Sequence, residues 1–145
     1  MSKAKELNLK EQIVGAARNV LLSEGYRNFS LRKIAREIDV SATSIYLHFE
    51  NRDDLVHTLM EQSIERLNSQ LQQAATEADS PIAKLEALAY EYVHFALNNQ
   101  REYQIIHLTS SDEMTRYPKE KFRKARKGYE IVSSVLQEGV DAGLI

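Results

Sequence analysis

Two helix starts stand eleven residues apart in "FSLRKIAREIDVSATSIYLHF", residues 29–49, and no other feature restricts the fold as strongly. Ser30 can cap one helix and Ser41 the next. Each is flanked by an apolar pair, Phe29 with Ile34 and Val40 with Ile45, at the positions of a hydrophobic staple. Two staples this close fix the approach angles of two short helices across a tight turn, the geometry of a helix-turn-helix. Leu31, Ile34, Ala35 and Ile38 form the inward stripe of the first of these helices, and the small Ala35 lets its partner lie close. Asp39 falls where the turn asks for a positive φ, which Asp tolerates better than most residues.

Helical periodicity continues on both sides. Only two Pro and five Gly interrupt 145 residues, and alternating β-branched runs are absent, so the expected fold class is all-α. A first helix is expected from Asn8, with Glu11 at capping-box spacing, through Ile13, Ala16, Ala17, Val20 and Leu21 to a stop at Gly25. Asn51 opens a fourth helix whose first turn carries Asp53 and Asp54, and Leu55, Leu59, Ile64, Leu67 and Leu71 carry it to about Ala78. Ser80 and Pro81 start a fifth, with Ile82, Leu85, Ala89, Tyr92, Val93 and Ala96 as its expected core stripe. A short helix covers Glu102 to Leu108. A last one runs from Pro118 to Ala142 on Phe122, Ala125, Tyr129, Val132, Leu136 and Val140.

Composition excludes several classes. The chain has room for one or two compact units. It has no Cys, hence no disulfide framework, thiol chemistry or Cys-based zinc site. The opening "MSKAKELNLKEQI" lacks the apolar core of a signal peptide and no run approaches a membrane span, so a cytoplasmic protein with no membrane partner is expected. Net charge is −2, with +1 on residues 1–55 and −3 on the remainder. Charge alone is no argument for a polyanion partner; placement has to supply it.

Placement does. With Ile45 and Phe49 (and Ala42) facing the core, Thr43, Ser44, Leu47 and His48 point away from it. Short donors allow a helix to approach DNA closely, where long carboxylates would repel phosphate. Hydroxyls, Tyr46 and His48 can donate to phosphate oxygens, and Arg32 can reach a phosphate or a guanine edge. The competing reading is a pair of small helices capping a bundle with a polar surface.

Residues 30–55 resemble the N-terminal DNA-binding domain of the tetracycline-repressor (TetR) family. The resemblance rests on Ser30, Ile34, Ala35, Val40, Ser41, Ile45, Tyr46, His48, Phe49, Asn51 and Leu55 in one register, with "GAARNVLLSEGYRNFSL" also similar. It implies a transcriptional regulator, usually a repressor and a homodimer, that binds a palindromic double-stranded DNA operator and is released by a small-molecule effector. By the same resemblance Ser30, Arg32, Ser41, Thr43, Tyr46, His48 and Arg52 match phosphate contacts. Ala42, Ser44 and Leu47, with Thr43 and Arg32, match positions near base edges. Asp39 stands where the family uses Gly, and Arg52 where it uses Lys.

The implied organisation is a helix-turn-helix domain over residues 1–51, with the helix-turn-helix itself at 31–50, and a partial ligand-binding and dimerisation domain over 52–145. "AYEYVHFALNNQREYQIIHL" resembles the middle of that second domain in one subgroup. The family normally has two more long helices, which build a four-helix dimer interface, whereas this sequence stops at "EGVDAGLI"; a regulatory domain lacking the last dimerisation helices is expected. Tyr92, Phe95, Tyr103, Ile106, His107, Phe122 and Tyr129 are the candidates for a ligand cavity, with core packing as the alternative. His94 and His107 find no further ligand at a convincing metal spacing. The basic run "KEKFRKARKG" is read as a solvated helix face. No phosphate loop, nucleophile elbow or HExxH suggests an enzyme or a cofactor. A helical binding module without operator activity is the alternative function.

Overall fold

The computed structural model describes residues 3–108 and 123–145, with side chains over 8–107 and 127–145. Among these residues every regular element is a helix. They are α1 (Lys3–Asn28), α2 (Leu31–Glu37), α3 (Ala42–Tyr46), α4 (Arg52–Glu77), α5 (Pro81–Asn98), α6 (Gln100–Leu108) and α7 (Arg123–Asp141). Two compact units form, one from residues up to Met60 and one built mainly on Glu61–Ile106 with α7.

In the first unit α1 begins at Lys3, five residues before the expected Asn8 start. Asn8 lies inside the helix, where its side chain accepts from Gln12 Nε2 at 3.4 Å and caps nothing. Gly25 does break the path, at φ 77 and ψ 169, a conformation that glycine alone takes without strain. Ser30 caps α2 by accepting the Lys33 N–H at 3.2 Å, and both staple residues, Phe29 and Ile34, are buried. The α2 exit is a Schellman motif: Val40 N–H donates to Ala35 O at 2.9 Å and Asp39 N–H to Arg36 O at 3.3 Å. Asp39 holds the positive φ, 53°, as expected. Ser41 then caps α3 through the Ser44 N–H, also at 3.2 Å. Ile13, Ala17, Val20 and Leu21 of α1, Leu31, Ile34 and Ala35 of α2, Ile45, Phe49, and Leu55, Val56 and Leu59 of α4 are all buried.

Helix α4 opens with two reciprocal caps. Asn51 Oδ1 accepts the Asp54 N–H at 2.8 Å, and Asp54 Oδ2 accepts the Glu50 N–H at 3.0 Å. In the second unit, Leu67, Leu71 and Ala75 of α4, Leu88 and Phe95 of α5, and Ile131 and Val135 of α7 form one core. Ser80 caps α5 at Ala83 N–H, with Pro81 in the first turn, as the sequence suggests. The inward faces of α5 and α7 depart from expectation. Of the α5 stripe, Ile82, Ala89, Tyr92 and Val93 are exposed, and Leu88 and Phe95 are buried. Of the α7 stripe, Tyr129, Val132, Leu136 and Val140 are exposed, and Ile131 and Val135 pack inward instead. Gly139 supplies the reason. A Cβ there would stand 3.7 Å from Pro81 Cβ and 2.6 Å from Ile145 Cδ1, so the side of α7 bearing Gly139 is the one that can come close to α5. Lys84 Nζ and Glu138 Oε2, 2.8 Å apart, tie the two helices, and Arg66 Nη1 meets Glu102 Oε1 at 3.3 Å between α4 and α6. The expected start of the last helix at Pro118, together with the side chains of Phe122 and Ala125, lies outside the described residues.

Candidate nucleic-acid interface

None of the ten residues expected to meet DNA is buried. Arg32, Ser41, Thr43, Tyr46 and Leu47 are exposed; Ser30, Ala42, Ser44, His48 and Arg52 are half-buried. The two staples produce this arrangement. Once Ile45 is fully buried and Phe49 nearly so, a five-residue helix has only one other side to offer. Leu47, 81% exposed, and Tyr46, 57% exposed, stand there without apolar cover. A leucine that exposed is unfavourable in water, and a thymine methyl is one partner that would cover it.

The hydroxyls are partly committed. Ser41 Oγ and Ser44 Oγ lie 2.9 Å apart, so one proton lies between the two oxygens and the other is left to donate elsewhere. Ser41 Oγ also holds the α3 N-terminus, and Ser30 Oγ that of α2, so removing either would loosen a helix as well as a contact. Arg52 is set at the first residue of α4. Its guanidinium lies over the Tyr26 ring, 4.4 Å from the centroid, and its Nε is 3.7 Å from Asp53 Oδ1. Tyr26 Oη donates to the same Asp53 oxygen at 2.5 Å. Burial first, and the Asp53 carboxylate next, push the Tyr26 phenol above its usual pKa, so it stays a donor.

Sequence reasoning missed Tyr26, Asp53 and Lys10, whose Nζ sits 5.6 Å from the Phe49 ring centroid. Tyr26 and Asp53 are twenty-seven positions apart, and no periodicity marks such a pair. Lys33, half-buried on α2, is paired with Glu24 of α1.

The seven candidates for a ligand cavity divide. Phe95 is fully buried in the second core and Ile106 packs against it. Tyr92 and Tyr103 make an edge-to-face pair with centroids 6.4 Å apart. Burial, then Tyr103 and Tyr129 nearby, raises the Tyr92 phenol. Tyr129 is 77% exposed and His107 is exposed, while Phe122 lies outside the described residues. Two grooves in this unit are lined by other residues. One, of about 630 Å³, runs along Glu65, Asn68, Gln72 and Thr76 with Lys127 opposite. The other, of about 290 Å³, has Lys84 and Glu138 on its walls.

Two staple-braced helices, a Schellman turn and a short exposed helix carrying hydroxyls define a helix-turn-helix domain. Residues 13–59 match the family model described as bacterial regulatory proteins, tetR family. The likeness to that family is carried by this segment, about a third of the chain. The chain is 29% identical over 140 residues to the fatty acid metabolism regulator protein of Bacillus subtilis (strain 168), covering 92% of this chain and 69% of that one. A tetR-family regulatory protein from Rhodococcus RHA1 superposes with a TM-score of 0.77 at 20% identity, over 99% of this chain and 73% of the other. The regulator FadR of Bacillus subtilis, solved in complex with stearoyl-CoA, gives a TM-score of 0.72 at 24% identity, over 94% and 73%. At those identities the two structures speak to the fold.

Proposed function

We propose that this regulator is a repressor that binds a palindromic operator through Ser30, Arg32, Ser41, Ala42, Thr43, Ser44, Tyr46, Leu47, His48 and Arg52, and leaves it when residues 52–145 take up a small molecule. The observation that carries the reading is the exposed α3 face, short donors around an 81% exposed Leu47, in a domain of matching family. Residues 1–51, together with Arg52 at the start of α4, supply the DNA contacts. The protein works in the cytoplasm, where its operator is, and acts by binding and not by catalysis; among the described residues no helix is long and apolar enough to cross a membrane.

The effector is a long-chain acyl thioester. Support comes from the similarity to a fatty acid metabolism regulator and from the stearoyl-CoA held by a protein of the same fold. Tyr92, Tyr103, Ile106, Phe95, His107, Phe122 and Tyr129 are the residues proposed to line its site. Palindromic DNA calls for two copies, with recognition helices about 34–36 Å apart.

Gel-shift titration against the DNA beside the protein's own gene tests the reading. Binding is expected, and stearoyl-CoA but not free CoA should release it. Tyr46→Ala should weaken binding to every sequence and flatten the salt dependence by about one phosphate contact. Thr43→Ala or Ser44→Ala should change the preferred base, by about 1–3 kcal/mol at one position. Equal affinity for that DNA and for unrelated duplexes would overturn the operator assignment.

A further inference from the structure

Gly25 turns the chain off the α1 path, and the next residue, Tyr26, reaches the start of α4. Three side chains close on each other there. The negative face of an aromatic ring attracts a planar cation, and the Arg52 guanidinium lies 4.4 Å from the Tyr26 centroid. Asp53 accepts the Tyr26 hydroxyl at 2.5 Å and stands 3.7 Å from Arg52 Nε. The guanidinium is therefore held from two directions, by a ring and by a carboxylate that the phenol itself anchors. It is held without being covered, since the Arg52 side chain keeps 40% of its surface exposed.

We infer that Tyr26 and Asp53 are positioning residues that fix the Arg52 guanidinium, before DNA arrives, in the orientation in which it meets a phosphate. The inference rests on the reading of Arg52 as a phosphate contact. A free arginine side chain has many rotamers, and ordering it on binding subtracts from affinity. Here that freedom is lost on folding. The same arrangement also screens Asp53, whose bare carboxylate would repel a phosphate at this spot. Planarity matters to both contacts: a lysine ammonium cannot lie flat on the ring while offering a nitrogen edge to oxygen.

The test uses the full chain and a short duplex of arbitrary sequence, because phosphate contacts do not depend on sequence. Affinity is measured against salt for wild type, Arg52→Ala, Tyr26→Leu, Tyr26→Phe and the Tyr26→Leu/Arg52→Ala double variant. Arg52→Ala should reduce the salt slope by about 0.9. Tyr26→Leu should weaken binding about two- to fivefold, the size of a partly exposed cation–π contact. Tyr26→Phe, which keeps the ring and loses only the bond to Asp53, should fall between wild type and Tyr26→Leu. In the Arg52→Ala background neither Tyr26 change should cost anything more. Losses that persist in that background, or a Tyr26→Leu protein that binds as wild type, would overturn the inference and leave the Arg52 contact standing. An unaltered slope in Arg52→Ala would remove the contact itself and the inference with it. Should Tyr26→Leu lower the thermal transition, Tyr26→Phe carries the same comparison with the ring packing intact.

Discussion

At the scale of single residues, the turn between α2 and α3 carries Asp39 where the resembled tetR-type domain favours Gly. Asp39 occupies φ 53 without the freedom of glycine, in a Schellman motif whose two hydrogen bonds are both made. The left-handed region costs a non-glycine residue about 1–2 kcal/mol, partly relieved for Asp by its short polar side chain. Asp39→Gly should therefore stabilise the N-terminal unit, by up to about 1 kcal/mol after the extra chain entropy of glycine is subtracted. Asp39→Val, β-branched at a positive φ, should do the reverse. Chemical denaturation of both variants checks the sign; an Asp39→Gly protein less stable than wild type would mean that the aspartate side chain contributes more than its backbone costs.

The helices divide by how they are held. Helices α2 and α3 are too short to persist alone, and their stability comes from caps and from burial. Ile34 and Phe49 are the two side chains, at 0% and 3% exposure, on which α2 and the segment after α3 rest. Placing a carboxylate at either site buries an unpaired charge, a cost comparable with the whole stability of a small domain. Ile34→Asp and Phe49→Asp should abolish cooperative unfolding of the N-terminal helices. A wild-type melting curve for either would contradict the packing described here. Helices α5 and α7 pose a different problem, since each carries apolar residues on two sides.

That two-sidedness has its consequence for the whole molecule. Tyr90, Val93 and Leu97 on α5 and Tyr129, Val132, Leu136 and Val140 on α7 are all exposed. Exposed apolar surface of this extent favours association. Sedimentation at micromolar concentration should show self-association, and Val93→Glu with Leu136→Glu should abolish it. The same pair of changes should reduce the preference for a palindromic duplex over a half-site, because the second recognition helix is lost. A wild-type chain that is monomeric and still prefers the palindrome would show that these faces are not the pairing surface.

Much of this protein was legible in the sequence because its signals are local. A cap lies three residues from the N–H it satisfies, and a staple spans five positions, so Ser30, Ser41, Ser80, Asn51 and the Asp39 turn could all be read from the chain alone. With Ile45 and Phe49 assigned inward, the exposure of Thr43 and Leu47 followed from the helical period, while Ser44 and His48, expected on the same outward side, are half-buried. The start of α1 could not be read this way, since Asn8 has the right spacing for a cap but the helix already runs through it. Nor could the inward sides of α5 and α7. Tyr129, Val132, Leu136 and Val140 make a longer apolar stripe than Ile131 and Val135, and only the close approach of α5 at Gly139 selects the shorter one. The setting of Arg52 against Tyr26 and Asp53 belongs to the same class. Such contacts join residues far apart in sequence, and their geometry exists only once the backbone has brought the elements together.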